Sequence, residues 1–181
     1  AFAQINYNDT ISVESTVDSG ASAWTSRTTG ISGQLRDIDF FFDRNETERI
    51  VFLTEDRLAW YDTTNYVENH LLRLPYRGRA LARFGDKLII FMDAGQVWEY
   101  SATGATRDIS PGGKQGMPSG KDFGFQTGGS VVVHVTAKGL YAFWSGTNVL
   151  ATANLAPLIL VWDGVGWHFI WQASATAISS A

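Results

Sequence analysis

Seven consecutive residues, Trp162-Asp163-Gly164-Val165-Gly166-Trp167-His168, form the most distinctive local motif of the chain. Two tryptophans flanking a glycine turn can form a sugar-stacking platform, because indole rings offer apolar faces to pyranose C–H groups. Asp163 and His168 would then supply polar contacts, which makes Trp162, Asp163, Trp167 and His168 the candidate ligand-binding set. The same residues also spell a hairpin, with Asp-Gly making the turn and the tryptophans packing between sheets. The structural reading is the simpler of the two.

Other constellations point away from catalysis. Arg73, Arg77, Arg79 and Arg83 suggest a cluster that grips a substrate carboxylate. They fall within one strand-and-loop region, where alternation predicts a solvated ladder or pairing with the acids of residues 37–68. Asp37/Asp39 and Glu46/Glu48 have the two-residue spacing that turns both carboxylates to one strand face, and they read as surface acids. His70, His134 and His168 are far apart in sequence, without the close spacing of metal ligands. His134, inside a valine run, reads as a buried core residue. No nucleophile elbow, phosphate loop or dinucleotide fingerprint occurs. The chain is therefore expected to be no enzyme, with no catalytic residues, no metal and no cofactor.

Composition narrows the partners. The chain has 181 residues, 18 acids against 14 bases, a formal charge of -4 and no cysteine. That balance offers no field to attract nucleic acid or an anionic membrane, and it excludes disulfides and thiolate chemistry. No apolar run is long enough for a membrane-spanning helix. Charged residues are only 18% of the chain, against about 25% in soluble domains generally. The deficit is local: from Gly139 to Ala181 the only formal charge is Asp163. A free surface is usually about 25–35% charged, so residues 139–181 must be core or face another subunit.

Behind these residues lies a repeated layout. Residues 48–62, 86–101 and 130–145 each read as a β-branched run, a tight turn and a strand ending in aromatics, which is hairpin chemistry. Each follows a short strand candidate (Leu35 to Phe42, Arg79 to Phe84, Lys121 to Gln126). Each precedes a weaker polar one (Tyr66 to Leu72, Ala105 to Ile109, Thr147 to Ala153). The landmarks Tyr61, Tyr100 and Trp144 stand 39 and 44 positions apart, and four strands per roughly 40–45 residues is the spacing of propeller blades. The expected fold is all-β, built of propeller-like four-stranded antiparallel blades, with a β-sandwich as the alternative. Blades are expected at residues 31–75, 76–113 and 114–156, flanked by a partial N-terminal blade at 1–30 and a C-terminal hairpin and tail at 157–181. Three full units and two partial ends suit a piece of a longer chain, or one that completes its sheet with a partner.

Two resemblances add to this reading. Thr16-Val-Asp18-Ser-Gly20-Ala-Ser22-Ala-Trp24 resembles the Asp-box of sialidase-like repeat propellers, with one extra residue before the tryptophan. The resemblance implies a structural turn built on Asp18, Gly20 and Trp24, and it implies no hydrolysis. Leu158-Ile-Leu-Val-Trp-Asp-Gly-Val-Gly-Trp-His168 is similar to blade hairpins in bacteriophage tail and virion structural proteins. That likeness implies a virion or extracellular part that packs against other protein subunits through residues 139–181. A carbohydrate-binding, lectin-like module that takes surface glycan is the alternative, and a glycoside hydrolase stands behind both.

Overall fold

A computed structural model of the chain describes residues 2–5, 10–15, 25–62, 67–111, 131–144 and 158–172. They form four antiparallel sheets, each made of neighbours in sequence. The first sheet has three strands, β1 (Phe2–Ile5), β2 (Thr10–Ser15) and β3 (Thr25–Ser32). The second holds β4 (Leu35–Phe42), β5 (Glu48–Thr54), β6 (Arg57–Asp62) and β7 (Val67–Arg73). The third holds β8 (Gly78–Phe84), β9 (Lys87–Met92), β10 (Val97–Ser101) and β11 (Thr106–Asp108), with a 3-10 turn at Asp93–Gly95 between β9 and β10. The fourth holds β12 (Val131–Thr136), β13 (Gly139–Trp144), β14 (Leu158–Trp162) and β15 (Trp167–Gln172).

The first strands of successive sheets adjoin, β4 against β8 and β8 against β12. Innermost strands of propeller blades stand this way, with each sheet packing face to face on the next. Two apolar layers fill the gaps. Phe41, Val51, Leu53 and Leu58 of the second sheet meet Leu81, Leu88, Ile90 and Met92 of the third. The opposite face of the third sheet, with Ala80, Ala82, Ile89, Phe91 and Val97, meets Leu140, Ala142, Trp144, Leu160, Trp162 and Trp167 of the fourth. Strands β5 and β9 are buried on both faces, which is why their sequences run apolar without alternation. Burial of each large side chain here contributes about 1.5–3 kcal/mol.

The fourth sheet departs from the expected layout. Tyr61 and Tyr100 end third strands, β6 and β10, whereas Trp144 ends a second strand, β13. The hairpin of residues 131–144 is thus the inner half of its sheet, since β12 sits beside β8. The C-terminal hairpin is its outer half: β14 pairs with β13 from Leu140↔Trp162 to Trp144↔Leu158. A boundary at 156/157 would cut this sheet in two. The expected strands at Lys121 to Gln126 and Thr147 to Ala153 lie outside the described residues.

Where sheets meet most tightly, a side chain has no room. A Cβ on Gly78, at the start of β8, would stand 2.5 Å from the Thr54 carbonyl oxygen and 2.9 Å from Leu53 Cγ. Gly78 N–H donates to the Glu55 carbonyl at 3.0 Å, tying the third sheet to the β5–β6 turn.

Candidate functional site

The Trp162–His168 segment is a turn closed on the Asp163 carboxylate. Asp163 Oδ1 accepts the backbone N–H groups of Val165 and Gly166, each at 2.8 Å, and Oδ2 lies 2.7 Å from His168 Nε2. Gly166 N–H, His168 and Val165 N–H together hold the Asp163 carboxyl far below the usual carboxylate range. Gly164 takes φ +99°, a conformation that glycine adopts at least cost.

The tryptophans are inside. Trp162 is 0% exposed and Trp167 3%. Trp167 packs 5.5 Å from Trp162, 5.7 Å from Trp144 and 6.3 Å from Phe91, centroid to centroid. Its indole N–H donates to the Ile109 carbonyl at the end of the third sheet. Neither ring has a face open to a sugar, so the platform of Trp162 and Trp167 is corrected to an inter-sheet aromatic core. Asp163 and His168 remain at the surface as parts of the turn. Asp18, Gly20 and Trp24 lie outside the described residues.

The arginines separate. Arg77 lies 3.6 Å from Glu55, Arg79 pairs with Asp93, and the Arg83 guanidinium sits 5.6 Å over the Phe42 ring. Arg77 therefore does pair with the acidic segment, and the three do not converge on one point. Among the described residues, no group of three His, Asp or Glu side chains is placed to hold a metal.

The carboxylates of β4 are half-buried and engaged by a neighbouring strand. Asp37 Oδ2 accepts the Leu81 N–H and Asp39 Oδ2 accepts the Arg83 N–H, both at 2.8 Å, across the gap between β4 and β8. Burial pushes the Asp37 carboxyl above its ordinary range, against the Leu81 and Ile38 N–H bonds that oppose the shift. The two-residue spacing did place both on one face. What that face met depended on the sheet order, which spacing does not encode.

His134 is likewise corrected, because it is exposed. Strict alternation in β12 turns Val131 and Val133 toward the third sheet and leaves Val132 and His134 on the far side. That far side of the fourth sheet carries several exposed apolar side chains. Register aligns Val132, Phe143, Ile159 and Trp171 in one row across all four strands. Val132 is 65% exposed, Phe143 41% and Trp171 50%. The neighbouring row is His134, Tyr141, Val161 and His168. None of the eight is Asp, Glu, Lys or Arg. The low charge of residues 139–181 signalled this face, and alternation along each strand locates it.

No family model and no curated protein matches the chain. Among solved structures it is similar to the crystal structure of the N-terminal domain of Nup159, with a TM-score of 0.56 and 12% identity. The likeness covers 97% of this chain and 42% of that one, so the chain spans less than half of that domain's length. At such identity the likeness bears on the fold alone, and it agrees with the stacked sheets: the chain is an all-β protein of propeller-like four-stranded blades.

Proposed function

We propose that the chain is a non-catalytic structural and interaction module, seated by the far face of its fourth sheet in a larger protein assembly. The observation that carries this reading is the uncharged row Val132–Phe143–Ile159–Trp171, in which Val132, Phe143 and Trp171 are exposed and Ile159 half-buried, on a sheet whose opposite face is already buried. Apolar patches of this continuity, without charges to keep them apart from a partner, mark protein–protein contacts. The occupant is another protein subunit presenting a sheet of its own, as each sheet inside the chain does for the next. The cadence of residues 158–168, similar to phage tail and virion hairpins, supports an assembly of that kind and a virion or extracellular location. The structural roles of four acids support the non-catalytic reading. Asp37 and Asp39 bridge strands, Asp93 pairs with Arg79, and Asp163 ties a turn.

The test is the concentration dependence of mass. Wild-type protein is expected to associate at micromolar concentration in mass photometry and sizing, and a Phe143→Ser/Trp171→Glu variant to stay monomeric with unchanged far-UV circular dichroism. A wild-type chain that remains a stable monomer under those conditions overturns the reading.

A further inference from the structure

Away from that face, a cavity of about 360 Å³ opens between the second and third sheets. It lies between the β4–β5 turn and the β10–β11 turn, and Phe41, Trp60, Leu71 and Tyr100 give it an apolar lining. Such a volume suits one side chain or a small ligand, since pockets for small ligands begin near ~300 Å³.

Its polar groups are fixed in place and only partly used. The Arg49 guanidinium lies 4.1 Å over the Trp60 ring, and its Nε and one Nη each stand 3.1 Å from Asp43 Oδ2. Asp43 in turn accepts the N–H groups of Asn45 at 2.8 Å and Thr47 at 3.1 Å, so the guanidinium is anchored through the turn. A guanidinium has five N–H donors, and the rest of this one find no partner among the described residues. Arg44, exposed on the same lining, forms no ion pair among the described residues. The Tyr100 ring packs edge-on at 5.8 Å from Phe41 and is 6% exposed, yet its hydroxyl has no hydrogen-bond partner among the described residues. Burial raises the Tyr100 pKa, keeping that hydroxyl a donor.

Charge and shape together select the ligand. Among the lining residues, two arginines against one aspartate leave a single surplus positive charge, which matches a carboxylate better than a doubly charged phosphate. A pyranose would need an open ring face. Here Arg49 covers Trp60, and Phe41 and Tyr100 are almost wholly buried. We propose that this cavity docks an acidic peptide segment, with an apolar side chain against Leu71 and the edge of Trp60, the half-buried members of the lining, and an adjacent carboxylate across Arg44, Arg49 and the Tyr100 hydroxyl.

The experiment is an amide NMR titration of the whole chain, carrying Trp171→Glu so that self-association does not interfere. The probes are N-acetyl-L-phenylalanine and its uncharged amide, N-acetyl-L-phenylalaninamide. Saturable shifts are expected at the Trp60 indole N–H and the Gly104 amide. The acid should bind about tenfold more tightly than the amide, the worth of one charge-assisted hydrogen bond. Arg44→Ala should weaken the acid by about two- to fivefold, as loss of an exposed ion pair does, and leave the amide unchanged. Tyr100→Phe, which keeps the ring packing, should weaken the acid too. Equal binding of acid and amide, or no saturable shift, overturns the proposal. Tighter binding of methyl glucuronide at the same signals overturns it in favour of an acidic glycan. Because the probes report on the second and third sheets, failure here leaves the assembly reading of the fourth sheet untouched.

Discussion

The Asp37 carboxylate and the Leu81 amide, 44 positions apart in sequence, meet at 2.8 Å and join the inner strands of two successive sheets. Asp39 repeats the contact with Arg83 N–H. The carboxylates stand where a further strand's carbonyl oxygens would otherwise be, so the two blades are fastened along their inner strands as well as by the apolar layer behind them.

Replacing Asp37 by alanine leaves the Leu81 N–H without its partner. An orphaned buried donor costs about 1–3 kcal/mol, and urea unfolding of Asp37→Ala should fall by that amount. Asp37→Asn should cost less at neutral pH, because its amide oxygen still accepts the bond and no charge has to be buried. Because burial raises the Asp37 pKa, the folded state holds that proton more tightly than the unfolded chain. Asp37 therefore favours folding most at low pH, and its contribution declines as pH rises from the ordinary aspartate range through the raised folded value. Equal losses for Asp37→Ala and Asp37→Asn at neutral pH would count against the strand-bridging role.

Asp163 titrates with the opposite sign. Its folded carboxyl is held low by Gly166 N–H, His168 and Val165 N–H, so the unfolded chain binds the proton first as pH falls. The contribution is present above the ordinary aspartate pKa and is lost as pH drops below it toward the lower folded value. Unfolding curves collected from pH 6 down to pH 2 should show a shallower acid decline for Asp163→Asn than for wild type. A superimposable decline would remove the turn from the acid-sensitive part of the fold.

Gly78→Ala probes the closest approach between sheets. The added methyl collides with the Thr54 carbonyl oxygen and Leu53, and overpacking of this kind costs about 1–3 kcal/mol. Gly166→Ala is the control, because nothing lies within 4 Å of the atom it adds. Thermal melts should separate the two clearly, with the control within about 0.5 kcal/mol of wild type.

Trp167→Ala tests whether the ring is core or platform. Removal of a buried tryptophan costs about 3–5 kcal/mol, and the near-UV circular dichroism of the Trp144–Trp162–Trp167 cluster should collapse with it. Trp167→Phe should retain much of the stability while losing the bond to Ile109. An Ala variant as stable as wild type would place the ring outside the core.

The four-strand unit was readable wherever turn chemistry and β-branched runs coincide, as at Glu48 to Asp62 and Lys87 to Ser101. The offset of the fourth sheet was not. Residues 131–144 end in aromatics just as the earlier hairpins do, and a hairpin's local pattern does not say whether it is the inner or the middle pair of its sheet. Only the partners decide: β12 beside β8, β13 beside β14. The tryptophans of residues 162–167 were ambiguous for a similar reason, since a ring flanking a glycine turn has the same spelling on a surface and in a core. Asp37 and Asp39 could be assigned a common face but not the strand opposite it. The cavity between the second and third sheets draws on two turns nearly 60 residues apart, and no local pattern links them.

The two β4 carboxylates also bear on solubility. A strand with one free edge is a ready template for a strand from another molecule, and proteins survive by blunting such edges. Among its sheet-mates β8 pairs only with β9, so its other edge is the kind along which chains add to one another. By occupying the Leu81 and Arg83 N–H groups with charge, Asp37 and Asp39 deny that edge to a stray strand. With those two donors already satisfied, the inner edge of the third sheet offers a second copy of the chain less to pair with.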